Sequence, residues 1–264
     1  MMNLKHICEQ VIALNQQVGK YILAENKKLD KHGIESKGAN NFVTYVDKEA
    51  ETQLVTGLRE ILPGAGFLTE EGVASMHGED YFWVVDPIDG TTNFIQHLSP
   101  YSISIALMKG EQVLLGCVYE ISLDEMFYAW HQGGAWLNGK PIHVSEKKEL
   151  AHAVVSYGIP YELKPEYDYL RQRILYLYGK CTVRLLGSAA AELCYVASGR
   201  LDGYLHDNLS PWDVAAGTLI IKEAGGTTTD FSLGANYIFG KELLSTNKHI
   251  HQELMDFMVS PNSD

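Results

Sequence analysis

Asp86 and Asp89 stand three positions apart in Val84-Val85-Asp86-Pro87-Ile88-Asp89-Gly90-Thr91-Thr92-Asn93-Phe94, directly after the apolar run that starts at Tyr81. Pro87 fixes φ and Gly90 permits a tight backbone, so both carboxylates are expected to project from a rigid corner. Thr91, Thr92 and Asn93 can cap a helix that follows it. A lone turn of this kind could use its acids only to satisfy backbone amides. Two other stretches argue for more. Gly66-Phe67-Leu68-Thr69-Glu70-Glu71-Gly72 again ends an apolar run in acid, and Asn208-Leu209-Ser210-Pro211-Trp212-Asp213-Val214-Ala215-Ala216-Gly217 sets Asp213 at the mouth of an almost wholly apolar helix. Taken singly, Glu71 reads as a solvated charge and Asp213 as an N-cap. Together, acids at the ends of several elements outline one oxygen-rich pocket. Oxygen donors without a His or Cys cluster suit a hard cation. Mg²⁺, which keeps part of its water shell and recruits phosphate oxygens, fits them better than Zn²⁺, and no EF-hand pattern speaks for Ca²⁺. Neither a GxxxxGK[ST] loop nor a strand-linked GxGxxG occurs, which removes the main warrant for nucleoside-triphosphate and dinucleotide folds.

The elements that must position these acids can be read from periodicity. Ile7, Val11, Leu14, Val18 and Ile22 recur at spacings of three and four, which predicts an amphipathic helix over 4–25. A second helix is predicted over 47–62, with Asp47 at its start and Pro63-Gly64 stopping it. From 66 to 145 the pattern changes to short β-type runs at 66–68, 81–85, 101–108, 113–119 and 126–130, with Asn138-Gly139 as a hairpin signal. Their short connections predict an antiparallel sheet. Beyond residue 150, strands (154–157, 182–185, 201–205) alternate with helices (167–178, 189–197, 212–224). The last helix is ended by Gly225-Gly226.

At 264 residues the chain can bury a large core, and 46 % hydrophobic with 20 % charged residues is ordinary for a folded protein. The formal net charge is −12, from 33 acidic and 21 basic residues, and no Lys/Arg-rich run could track a phosphodiester backbone, so no nucleic acid is expected as partner. No cationic leader with an apolar stretch and no 18-residue apolar run is present. That predicts a cytoplasmic protein without a membrane partner. Cys8, Cys117, Cys181 and Cys194 form no CxxC pair and read as buried thiols. His249 and His251 lack a third ligand and read as the solvated face of a terminal helix.

The acidic signatures Glu70-Glu71, Asp86 to Phe94 and Trp212 to Gly217 closely resemble those of the inositol monophosphatase family, magnesium-dependent and lithium-sensitive phosphatases. The resemblance runs almost end to end, through NFVTYVDKEAE from Asn41, GGAWLNGKPIHVS from Gly133, GSAAAEL from Gly187 and EAGG from Glu223. It implies an α/β (α+β) layered sandwich, αβαβα, with an antiparallel sheet in the N-terminal half (1–145) and a mixed α/β sheet in the C-terminal half (146–264). The halves are expected to be closely fused into one unit. Carried over residue by residue, Glu70, Asp86 and the carbonyl of Ile88 hold one Mg²⁺, and Asp86, Asp89 and Asp213 hold a second about 3.5–4 Å away. A third, weaker ion accompanies the phosphate, giving two to three ions per site. Four formal negative charges are thereby balanced by divalent ions.

The resemblance further implies a phosphoric monoester hydrolase working by in-line attack of a metal-activated water, which Thr91 and Asp47 orient. The backbone of Gly90, Thr91 and Thr92 would receive phosphate oxygens at a helix start. Gly187, Ser188 and Ala189, with His206 and Asp213, would face the alcohol. Inositol monophosphate is the leading substrate, and a homodimer the expected assembly. Two departures stand out. The acid that inositol monophosphatases commonly place seven residues before the last metal aspartate is here His206, beside Asp207. An imidazole there could donate a hydrogen bond, stack on a ring, or gain charge near pH 6.5. Lys37 stands near a family loop lysine, in a different local sequence. Nucleotide or NADP 2′/3′-phosphatase and sugar phosphatase activities stay open within the same chemistry. Outside it stands a partner-binding, regulatory member of the fold.

Overall fold

The structure, a computed structural model, describes residues 2–28, 34–38, 41–75, 79–160 and 169–259. Helix α1 (Leu4–Asn26) is capped by Asn3, whose side chain accepts from the His6 amide, and it buries Ile7, Val11, Val18 and Ile22 as the periodicity predicts. A small antiparallel hairpin, β1 (Ile34–Gly38) and β2 (Asn41–Thr44), then feeds α2 (Tyr45–Ile61). Sequence periodicity does not reveal this hairpin. Lys37 belongs to β1, and its side chain lies outside the described residues.

The first sheet contains β3 (Gly66–Thr69), β4 (Tyr81–Asp89), β5 (Ser102–Lys109), β6 (Gln112–Glu120), β7 (Glu125–Trp130), β8 (Ala135–Leu137) and β9 (Lys140–Pro141), side by side in that order. All its pairs are antiparallel except β3–β4, which is parallel. The expectation of a purely antiparallel sheet is corrected there, because the stretch between Thr69 and Tyr81 is long enough to carry the chain back to the same end. Asn138 and Gly139 join β8 to β9 with φ of 47° and 79°, the left-handed pair that a tight hairpin demands. A short helix, α3 (Thr91–Ile95), follows β4.

The second sheet is built from β10 (Val154–Gly158), β11 (Thr182–Arg184), β12 (Gly203–Asp207), β13 (Thr227–Thr229) and β14 (Glu242–Thr246), in the order β11-β10-β12-β14-β13. β10 runs parallel to both β11 and β12, and β14 antiparallel to its neighbours, so the sheet is mixed. Helices α4 (Tyr169–Lys180), α5 (Ala189–Ala197), α6 (Pro211–Glu223) and α7 (His251–Val259) complete the order. The first residues of the helix predicted over 167–178, 167 and 168, lie outside the described residues.

Alternation along the strands assigns the layers. Trp83, Val85, Ile103, Ile105 and Leu107 face α1 and α2, whereas Phe82, Val84, Ala106, Met108 and Phe127 face α5 and α6. The same middle helices meet Tyr204 and Leu243 of the second sheet. Its other face, with Val155, Tyr157, Leu205 and Leu244, packs on Leu177 of α4 and on Leu254 and Met255 of α7. The αβαβα sandwich is thus present. The middle layer is tight: a Cβ on Gly116 would lie 2.5 Å from the Ala216 carbonyl oxygen, and one on Gly217 would lie 2.6 Å from Leu193 Cβ. The small residues of α6 let it press against β6 and α5, which brings its N-terminal Asp213 to the ends of β4 and β5.

Cys8, Cys117 and Cys194 are buried free thiols, and Cys181 is half-buried. His251 is buried between the Thr229 and Thr246 hydroxyls, 3.0 Å from each, so the solvated reading fails for it. Among the described residues no helix is long and apolar enough to cross a membrane.

Candidate metal and phosphate site

Strand β4 continues through Asp89, so the two aspartates lie within the strand. Its register slips between Asp86, opposite Ser104, and Asp89, opposite Ser102. The irregularity at Pro87-Ile88 lets both acids face one pocket, where strict alternation would send positions 86 and 89 to opposite faces. Oxygens of Asp86, Asp89 and Asp213 all lie within 4.8 Å of one another. Asp86 is 2 % exposed and Asp89 8 %.

Each acid is also held by the backbone. Asp86 accepts from the Ile88 amide at 2.9 Å, and Asp89 from the Ser188 hydroxyl at 2.5 Å and the Ala190 amide at 2.7 Å. Asp213, third residue of α6, accepts from the Ser210 amide at 2.6 Å in a capping box. The turn reading and the N-cap reading are therefore both true and leave room for chemistry, because a carboxylate has about four acceptor positions. Glu70 follows β3, its amide donating to the Val85 carbonyl at 3.2 Å. Its carboxylate is the strongest charged influence on Asp86.

Burial and mutual repulsion push these groups upward. Asp86 and Asp213 are raised well above the carboxylate range, first by burial and then by the neighbouring acids. Asp89 is raised to about 6 by burial, against the opposing bonds from Ser188, Ala190 and Ala189. Among the described residues no Lys, Arg or His is ion-paired with any of the three. Converging all-oxygen donors, two of them buried and Asp213 half-buried, with no ion-paired cationic side chain among the described residues, fit a hard divalent ion.

That electrostatic strain has a sign that can be measured. An acid whose folded-state pKa exceeds its unfolded value of about 4 binds more protons folded than unfolded between the two values, so stability falls as pH rises through that window. In EDTA the melting temperature is expected to drop between pH 5 and pH 8, and Mg²⁺ to cancel the drop. A flat profile in differential scanning fluorimetry would show that the acids are not crowded together.

Asp47 is fully buried in the first turn of α2. One of its oxygens accepts from the Thr44 amide (2.8 Å) and hydroxyl (2.6 Å); the other lies 3.1 Å from the Thr91 hydroxyl. Burial, opposed by the Thr44 bonds, raises Asp47 to about 6. The Thr91 hydroxyl is also 2.9 Å from the Ile88 carbonyl. The structure thus brings Asp47, Ile88 and Thr91 into one hydrogen-bonded group. Gly90, with φ of 89°, caps α3; a Cβ there would lie 3.0 Å from the Gly187 carbonyl oxygen and 3.1 Å from that of Pro100. The first-turn amides of α3, including those of Thr91 and Thr92, have no carbonyl within the helix to bond. Gly187 and the α5 start, Ser188 and Ala189, come against the Asp89–Gly90 corner, but the Ser188 hydroxyl is committed to Asp89.

Four contributors are not evident from sequence motifs. Asn93, read as a cap, donates its side-chain amide to the Pro100 carbonyl at 2.8 Å and the Leu186 carbonyl at 2.7 Å, tying α3 to the loop before α5. Ser102 and Ser104 face the site: one hydroxyl is 3.2 Å from that of Ser188, and the other donates to the Trp212 carbonyl at 2.9 Å. Their signal was two serines alternating with isoleucines in an otherwise apolar strand. Glu192, buried in the apolar α5, accepts from the Ser156 hydroxyl and, at 3.1 Å, from the Leu186 amide.

His206 and Asp207 occupy successive positions of β12 and therefore opposite faces. Asp207 points to the α4 side, where the Tyr157 hydroxyl donates to it at 3.2 Å and Arg173 Nη1 lies 3.6 Å away. His206 lies on the Tyr204 side, over Gly158, where a Cβ would overlap its ring. Its Nδ1 meets the Asp207 carbonyl, and burial lowers its pKa to about 4. Of the three roles open to this imidazole, gaining charge near pH 6.5 is the one that its burial opposes.

Comparison with known proteins agrees with this geometry. Residues 3–259 match the model of the inositol monophosphatase family. Nus factor SuhB of Escherichia coli K12 is 35 % identical over 251 residues, covering 94 % of each chain. A Thermotoga maritima protein named fructose-1,6-bisphosphatase/inositol-1-monophosphatase is 36 % identical over 246 residues, covering 92 % of each. Among solved structures, 2′AMP-bound SaIMPase-II of Staphylococcus aureus superimposes with a TM-score of 0.80 at 27 % identity, covering 100 % of this chain and 96 % of that one.

Proposed function

Because the chain belongs to the inositol monophosphatase family, we propose that it is a Mg²⁺-dependent phosphatase of small phosphate monoesters, with inositol monophosphate the leading substrate. The observation that carries the reading is the cluster of buried Asp86 and Asp89 with half-buried Asp213, without a cationic partner among the described residues, beside the Asp47–Thr91 pair. Glu70, Asp86 and the Ile88 carbonyl would hold one ion, and Asp86, Asp89 and Asp213 another. Mg²⁺, when bound, supplies the missing positive charge, acidifies water and stabilises the departing alkoxide.

The chain's own residues do the rest. With Asp47 ionised, the Thr91 hydroxyl donates to it and turns its lone pairs outward, where they can accept from a water and aim it at phosphorus. The amides of Gly90, Thr91 and Thr92 meet the phosphate oxygens without adding charge. Gly187, Ser188, Ala189 and Asp213 border the alcohol side. The halves 1–145 and 146–264 work as one unit in this reading, in a cytoplasmic homodimer that sedimentation can check. The decisive assay is phosphate release from a panel of inositol, nucleotide 2′- and 3′-, NADP and sugar phosphates, with and without Mg²⁺ and Li⁺. Hydrolysis that ignores Mg²⁺, or none of any ester, would remove the reading. The second outcome would favour the partner-binding alternative, for which the E. coli relative's name as a factor speaks.

His206 bears on the substrate. A neutral imidazole whose Nδ1–H donates to the Asp207 carbonyl leaves Nε2 as an uncharged acceptor, which tolerates an aromatic base or a second anionic group better than a carboxylate would. His206→Glu is therefore expected to move the kcat/KM ratio of inositol 1-phosphate over a nucleotide 2′-phosphate several-fold toward inositol phosphate, about 1 kcal/mol or more. An unchanged ratio would show that position 206 does not set specificity.

A further inference from the structure

Glu51, at the end of the Asn41 motif, has no part in the chemistry described above, yet it is fully buried. It lies one helical turn beyond Asp47 on the same face of α2, an arrangement of like charges that costs helix stability unless both acids are engaged elsewhere. Both are. Asp47 reaches Thr91, while the two Glu51 oxygens accept from the Glu71 amide at 2.7 Å and the Val73 amide at 2.8 Å. These amides flank Gly72, whose φ of 74° marks the tight turn after β3. Glu70 stands directly before that turn. Its own amide is the last to bond β4, and the next amide in the chain is the first taken by Glu51. The backbone is thereby pinned on both sides of the Glu70 Cα, which fixes the direction of a side chain whose carboxylate faces Asp86.

We propose that Glu51 is a positioning residue that sets Glu70 in the metal site. One face of α2, through two carboxylates a turn apart, then fixes both the threonine that aims the water and the glutamate that completes the ion's oxygen ligands. The inference rests on the proposed metal role of Glu70. Groups that hold a ligand's orientation typically change metal affinity by about 10–100-fold when removed.

The structure supplies a matched control. Glu223 makes the same kind of clamp, accepting from the Gln132 amide (2.9 Å) and the Gly134 amide (2.9 Å), but it ends α6 about 15 Å of helix away from Asp213. Glu51→Gln and Glu223→Gln each replace one acceptor oxygen by an amide nitrogen. Mn²⁺ titration followed by calorimetry, with melting temperatures and amide exchange at Glu71 and Val73, separates them. Glu51→Gln is expected to weaken Mn²⁺ binding about tenfold, to speed exchange at those two amides, and to lose kcat that raised Mg²⁺ partly restores. Glu223→Gln is expected to lower the melting temperature with Mn²⁺ affinity unchanged. If Glu51→Gln does not fold, Glu51→Asp keeps both oxygens on a shorter stem and should show the same weakening of Mn²⁺ binding. Wild-type Mn²⁺ affinity in a folded Glu51 variant, or equal weakening by Glu223→Gln, would overturn the inference alone. A wild type that binds no Mn²⁺ would overturn the metal reading and this inference with it.

Discussion

Asp86→Asn is expected to lose on the order of 10³-fold or more in kcat, yet to melt higher than the wild type when both are stripped of metal. The catalytic loss follows from position: Asp86 is the acid common to both proposed ion sites, and losing several kcal/mol of charge stabilisation in the transition state gives a loss of that size. The gain in the metal-free form follows from repulsion. Asp86 is buried among Glu70, Asp89 and Asp213, all of which push its ionisation upward, so a neutral side chain of the same shape relieves the crowding. Asparagine can still accept from the Ile88 amide through its carbonyl oxygen, so the local turn is retained. Kinetics at saturating Mg²⁺ and calorimetry in EDTA check the two halves separately. Near-wild-type kcat would remove the two-ion assignment, and a lower melting temperature in EDTA would show that the acids do not repel.

The acids of this chain show what sequence can and cannot reveal about such a site. Asp86 and Asp89 follow an apolar run and Asp213 opens one, and that placement makes them legible as a cluster from sequence alone. Glu51 and Glu223 carry the same charge but clamp backbone turns, and nothing in their residue type or spacing separates the two uses; only the amides that meet them do. The helical stripe over 4–25, the strands around 81–85 and 101–108 and the glycine stop at Gly225 were readable because periodicity and φ are local properties. The parallel pairing of β3 with β4 and the short β13 are set by contacts distant in sequence, and local pattern cannot show them. For His206 the residue type raised the question of specificity. Its neutral state comes from burial over Gly158, which outweighs the opposing pull of the Asp207 carbonyl, and both belong to the folded sheet.

Thr91→Ala should lower kcat by about 10²-fold or more with little change in KM, since orienting a water acts on the transition state rather than on ground-state binding. Asp47→Asn should cost a similar factor by a different route. The Thr91 hydroxyl has one proton and two acceptors within reach, Asp47 at 3.1 Å and the Ile88 carbonyl at 2.9 Å. An ionised Asp47 draws that proton; a neutral asparagine competes less well with the carbonyl, and the hydroxyl turns away from the water. The two variants are separable by stability. The second Asp47 oxygen accepts from both the amide and the hydroxyl of Thr44, closing the α2 capping box, so Asp47→Asn should also lose about 1 kcal/mol of stability that Thr91→Ala leaves intact. In the double variant kcat should fall no further than in the worse single one, because Asp47 acts on the water only through the threonine. A loss equal to the product of the single effects would mean that Asp47 and Thr91 act independently, and the water would then have to be oriented by another group.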